Sequence, residues 1–191
     1  MSKKILIIDG HPDPDRGRFI HALADAYGNG ARDSGHEVRR LDIATIDIPI
    51  LRSRTDWTDG AVPPDIAAAQ EAILWAEHIV FLYPLWLGDV PALLKAFLEQ
   101  VARPGFALEQ GTMPMPLLKG RSARLVVTMG MPAFFYRFFF GAHSVKSFKR
   151  NILKLVGIKP VEQTLIGNIE GDDAGRQAWL DTLFNLGTAA A

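Results

Sequence analysis

Five short runs of apolar, β-favouring residues are spaced along this chain, and a helical pattern separates each from the next. That alternation is the strongest constraint on the fold. Strands that each feed a helix must pair in parallel through right-handed crossovers, which gives a doubly wound α/β sheet. The first run, Lys4-Ile-Leu-Ile-Ile-Asp9, is continuously apolar, as expected of a strand covered on both faces. The others are residues 37–42, His78-Ile-Val-Phe-Leu-Tyr83, residues 124–128 and residues 160–166. Between them, Phe19, Leu23, Tyr27 and Ala31 recur at helical spacing, with Gly28 and Gly30 expected to weaken that helix and Gly35 to end it. Asp65 reads as the N-cap of a helix to about Glu77, and Asp89 as the cap of one with Pro91 in its first turn. Val90, Leu93, Leu94, Phe97, Leu98 and Val101 form its core-facing stripe. Helices are also expected from Val145 to Val156 and from Asp172 to about Leu186. The long connection 43–64 has the irregularity of a functional or interface segment. The expectation is one α/β domain over residues 1–191, a three-layer sandwich around a five-stranded parallel sheet of order 2-1-3-4-5.

Composition narrows the function by exclusion. Lys plus Arg and Asp plus Glu number 21 each, and that neutrality argues against nucleic acid as the main partner. The absence of cysteine removes disulfides, thiolate metal sites and cysteine nucleophiles. The four apolar residues after Lys4 are too few for a signal-peptide core, and no run is long enough to cross a bilayer. A cytoplasmic location is expected.

In an open sheet of this order the ligand sits beyond the carboxyl ends of the strands, where strands 1 and 3 diverge. Three loops meet there. Residues 10–18 match neither a dinucleotide fingerprint nor a P-loop, but Gly17 and Arg18 at a helix start suit a phosphate cradle, helped by Arg16 or Arg18. A solvated turn with two prolines is the alternative. The second loop puts Trp86 and Leu87 directly after a buried strand, either as a platform for a planar heterocycle or as ordinary rim residues. The third leads into a segment where five of eleven phenylalanines lie within 134–140, a density typical of core or dimer interface. Tyr136 and His143 are its titratable groups, able to stabilise negative charge and return a proton. A structural role for His143 is the competing reading.

With these loops the sequence resembles the NAD(P)H:quinone oxidoreductase family of flavodoxin-like proteins. The resemblance is carried by Gly10-His11-Pro12, by Tyr83-Pro-Leu-Trp-Leu-Gly-Asp-Val-Pro-Ala-Leu-Leu-Lys95, by Arg103-Pro-Gly-Phe-Ala107 and by the Tyr136 segment, in the family's motif order. It implies a non-covalent flavin (FAD, with FMN as the alternative), NAD(P)H as electron donor, a quinone or other small aromatic acceptor, ping-pong hydride transfer and a homodimer. It implies that His11, Gly17, Arg18 and Phe19 line the flavin phosphates. Pro84, Leu85, Trp86, Leu87, Thr128, Met129 and Gly130 would contact the flavin ring. Tyr136 and His143 would manage its charge, and Arg176 is the candidate for an adenine contact. Mammalian members carry asparagine near Ile20 and glutamine near Trp86, and this chain has neither.

Other classes remain open from sequence. A flavin-bearing regulatory subunit of a potassium-efflux-type membrane transporter would use Lys146, Lys149, Arg150 and Lys154 for docking, although such a run also suits a solvated face. A one-electron flavodoxin-type carrier would be more acidic than this chain. A hydrolase lacks its G-x-S-x-G, and metal binding by Asp9, His11, Asp13 and Asp15 is disfavoured by the intervening prolines.

Overall fold

The computed structural model describes residues 1–111 and 115–191. Five parallel strands, β1 (Lys4–Asp9), β2 (Glu37–Asp42), β3 (His78–Pro84), β4 (Ser122–Thr128) and β5 (Val161–Ile166), lie in the order β2-β1-β3-β4-β5. The helices are α1 (Phe19–Asp33), α2 (Arg54–Thr58), α3 (Pro64–Trp75), α4 (Ala92–Val101), α5 (Ala133–Phe138), α6 (His143–Ser147) and α7 (Asp173–Ala189). The continuously apolar central strands have the explanation the pattern suggested. Leu6, Ile8, Phe81 and Tyr83 face one core, shared with α3 and α4, while Ile5, Ile7, Val80 and Leu82 face the other, under α1 and α7. Each face is dry because a helical layer covers it.

Several local expectations shift, each for a visible reason. Pro63, not Asp65, is the N-cap of α3, and the Asp65 carboxylate instead accepts the Asp47 N–H at 2.8 Å. Pro91, not Asp89, caps α4, and Asp89 accepts from the Ser144 hydroxyl at 2.6 Å. The connection 43–64 contains α2, closed by a capping box in which Ser53 and Asp56 satisfy each other's backbone N–H groups. Beyond α6 the helix widens into a π-turn over Phe148–Leu153. Gly30 does not weaken α1 but lets it approach α7. A Cβ there would lie 2.0 Å from the Phe184 carbonyl oxygen, and one at Gly187 would lie 2.0 Å from that of Tyr27. Among the described residues no helix is long and apolar enough to cross a membrane.

Candidate functional site

The carboxyl ends of β1, β3, β4 and β5 open into a recess of about 420 Å³. Its walls include His11, Arg18 and Phe19 from the first loop and α1, Pro84 and Trp86 from the second, Thr128 at the end of β4, and Ile169 beyond β5. The strand-order switch therefore brings together side chains separated by more than a hundred residues in sequence. The Trp86 indole meets the His11 ring edge-on, with centroids 5.7 Å apart. The turn that carries Trp86 is closed by reciprocal backbone bonds between Trp86 and Asp89, both 2.9 Å. Its tip, Leu87 and Gly88, has positive φ at both residues (49° and 81°), so Leu87 is held left-handed and fully exposed. A non-glycine in that conformation costs free energy that the surrounding turn must offset.

The first loop is bolted to the core by an ionic network that the sequence reading did not identify. Asp9, at the end of β1 and fully buried, accepts from the His11 N–H (3.2 Å), from His21 Nδ1 (2.5 Å) and from Arg40 (2.7 Å). Arg40 also binds Asp42 at 2.6 Å and Asp25. His21 Nε2 reaches the Asp13 carbonyl at 3.0 Å. Burial lowers the His11 pKa, which favours the neutral ring beside the recess. The signal was present in the sequence: an acid ends a buried strand, and an arginine lies on the neighbouring strand, where Arg40 pairs with Ile7 in register.

The expected phosphate ligands are less free than their sequence positions suggest. The Arg18 guanidinium binds Asp13 at 2.7–2.8 Å, Arg16 binds Asp42 at 2.9 Å, and the Gly17 N–H donates to Asp15 at 3.0 Å. Arg18 is half-exposed, so its ion pair is exchangeable. At the start of α1, among the described residues, the Phe19 and Ile20 N–H groups have no backbone acceptor, as expected of a first turn.

Other expected site residues, Leu85, Met129, Gly130, Tyr136, His143 and Arg176 among them, do not line this recess. Leu85 donates its N–H to the Thr128 carbonyl at 2.8 Å, tying the second loop to β4. Met129 is buried, whereas Gly130 is exposed with open space where a Cβ would stand. Arg176 stacks on Phe19 at 4.8 Å and lines a separate recess of about 240 Å³ that shares only Phe19 and Ile169 with the first. Tyr136 and His143 part company: the phenol is buried and the imidazole exposed. Among the described residues the Tyr136 hydroxyl has no hydrogen-bond partner, and neither has that of Tyr83. Burial raises both phenol pKa values above the ordinary 10, keeping both protonated as donors.

Comparison with known proteins agrees with this architecture. Residues 3–186 match the model of the family described as flavodoxin-like fold. An uncharacterized NAD(P)H oxidoreductase of Haemophilus influenzae is 31% identical over 182 residues, covering 92% of this chain and 90% of that protein. The FMN-dependent NADH:quinone oxidoreductase 8 of Burkholderia lata is 31% identical over 204 residues, covering 94% and 90%. A crystal structure from Streptococcus mutans superposes with a TM-score of 0.81 at 26% identity, covering 97% of this chain and 99% of that one. By the family match and by these near-full-length likenesses, the chain belongs to the flavodoxin-like fold family, beside relatives named as NAD(P)H oxidoreductases.

Proposed function

We propose that this protein is a flavin-dependent NAD(P)H:quinone oxidoreductase whose flavin lies in the recess between the first, second and third loops. The observation that carries the reading is the meeting of His11, Arg18, Phe19, Pro84, Trp86 and Thr128 around one cavity at the strand-order switch. The site fits a planar group with an anionic tail in two respects. Free N–H groups at the start of α1 and the nearby Arg18 would take a phosphate. Trp86, Pro84 and Ile169 offer flat apolar walls. Beyond the lining residues, the buried Tyr136 hydroxyl, which has no hydrogen-bond partner among the described residues, is the proposed donor to the ring edge.

FMN is the form proposed, which revises the preference for FAD that the sequence resemblance implied. The Burkholderia lata relative is named FMN-dependent, and a single phosphate matches the single helix terminus at the recess. Arg176 then belongs to the side wall, holding Phe19 in place, rather than to an adenine site.

Once bound, the flavin would accept hydride from a reduced nicotinamide and pass two electrons to a quinone. The chain's own residues have the remaining tasks. Arg18 would exchange Asp13 for the phosphate, and Trp86 with Leu87 would present an open apolar wall where donor and acceptor stack in turn. Tyr136, kept protonated by burial, would donate to negative charge at the ring edge. His143, exposed at the start of α6, would carry protons to and from solvent. The working form proposed is a cytoplasmic homodimer.

The test is direct. Purified protein should be yellow, release FMN on denaturation, and oxidise NADH only when menadione is supplied. A colourless protein that takes up no FMN at micromolar concentration refutes the reading.

A further inference from the structure

The neutral chain is electrically lopsided. Residues 110–161 contain no Asp or Glu, yet carry nine basic residues: Lys119, Arg121, Arg124, Arg137, Lys146, Lys149, Arg150, Lys154 and Lys159. All 21 acidic residues lie outside that stretch. Within it lies a cluster of exposed aromatic side chains. On and just beyond α5 only Tyr136 points inward, and Phe134, Phe135, Phe138, Phe139 and Phe140 are 41–77% exposed. Their rings form a knot: Phe135 stacks on Phe139 at 4.8 Å, and Phe140 meets both edge-on at 5.7 and 5.3 Å. The Arg137 guanidinium lies 5.6 Å from the Phe138 ring, leaving its charge at the water side. Directly after the knot, α6 and the π-turn present Lys146 and Arg150 to solvent. Among the described residues, none of Arg137, Lys146, Lys149, Arg150 and Lys154 forms a salt bridge.

We infer that this face docks on an anionic lipid bilayer, the phenylalanine knot entering the headgroup boundary and the cations meeting lipid phosphates. Aromatic side chains ringed by unpaired Lys and Arg are the chemistry that binds such an interface, each signal alone being weak and the two together sufficient. Charge decides between possible occupants. A second copy bringing the same face would set Arg137, Lys146 and Arg150 against their own equivalents, and like charges brought into contact destabilise an interface. A neutral membrane would leave the cations without partners. The docking does not depend on what the recess binds. If the recess is the quinone site proposed above, docking would bring its rim to the layer where lipid-soluble quinones reside, because α5 leaves that same rim.

Sedimentation of the full chain, loaded with FMN, with vesicles reads the proposal without any turnover. Vesicles of phosphatidylcholine alone should carry down little protein, and those with roughly a third phosphatidylglycerol should carry down most of it. The double variant Phe138→Ser/Phe139→Ser should lose roughly tenfold or more in vesicle affinity. Lys146→Glu/Arg150→Glu should abolish the preference for anionic lipid while keeping FMN and the circular dichroism of the parent. No sedimentation with anionic vesicles, or equal sedimentation of parent and both variants, overturns it. So does a phenylalanine variant whose only change is a smaller oligomer by analytical ultracentrifugation, since the knot would then bind a second copy.

Discussion

His78 should make the protein lose stability as pH falls through a defined window. It opens β3 at the end of the sheet away from the recess and is 3% exposed. Its Nδ1 contacts the Ser122 hydroxyl at 2.7 Å, while its Nε2 has no partner among the described residues. Burial above all, with the nearby Lys3 and Arg124 cations, lowers its pKa from 6.5 to about 4. The folded state thus binds this proton more weakly than the unfolded state. The His78 contribution to stability is present above pH 6.5, falls as pH drops, and is largely gone by about pH 4. A difference of about 2.5 units corresponds to about 3 kcal/mol once both states are protonated, and about 2 kcal/mol by pH 5. Urea unfolding at pH 7.5 and pH 5 would measure the drop, and His78→Gln, which does not titrate, would isolate it from carboxylate contributions. The variant's drop between those pH values should be smaller by about 2 kcal/mol. Equal drops in parent and variant would refute the reasoning, since they would mean that a protonated imidazole finds solvent at this position.

Three further variants test contacts described above. Gly30→Ala has opposed expectations, because helix propensity alone favours Ala by about 1 kcal/mol while the approach to α7 forbids a Cβ. The clash should win, with a net loss of about 2 kcal/mol or more in urea unfolding. Asp9→Asn removes the buried charge and turns one of its two acceptor oxygens into an NH2 donor, and should cost about 2–3 kcal/mol, below the full penalty of a broken buried pair because Arg40 keeps Asp42 and Asp25; thermal melts would read it. The same variant should weaken FMN binding in a fluorescence titration, since the anion that anchors the first loop through His21 and Arg40 is gone. Tyr136→Phe deletes a hydroxyl that is unsatisfied in the protein alone, so stability should hold or rise while stopped-flow flavin reduction by NADH slows by roughly tenfold or more. Unchanged reduction would remove Tyr136 from the chemistry.

How far the sequence could be read depended on the scale of the signal. Sheet order, and the meeting of the first two loops with the end of β4, were legible because continuous apolar strands and the 3.6-residue stripe of α4 admit few topologies. The caps were not, since Pro63 and Pro91 take the N-cap positions while the neighbouring carboxylates are engaged by the Asp47 and Val90 N–H groups. Gly30 was misread because its reason lies 154 residues away, in the carbonyl of Phe184. The dense phenylalanines suggested core or interface by composition alone. That they are exposed follows from α5 having a single buried position, which Tyr136 occupies.

The Asp9 network was the least legible part of the site, and it changes how the first loop should be understood. A loop rich in Asp and Arg reads from sequence as a phosphate cradle or a solvated turn. Here the anions are already supplied from within: Asp13 holds Arg18, Asp15 holds the Gly17 N–H, and Asp42 holds Arg16. Beneath them Asp9, His21 and Arg40 fix the backbone from which those groups project. A phosphate arriving at α1 therefore need not order a disordered loop. It has only to displace one exposed carboxylate from one half-exposed guanidinium, a local exchange of ion-pair partners whose screened Coulomb energies nearly cancel. On the proposed reading, affinity for the phosphate would then come chiefly from the backbone donors at the helix terminus, while the internal carboxylates keep the cations placed.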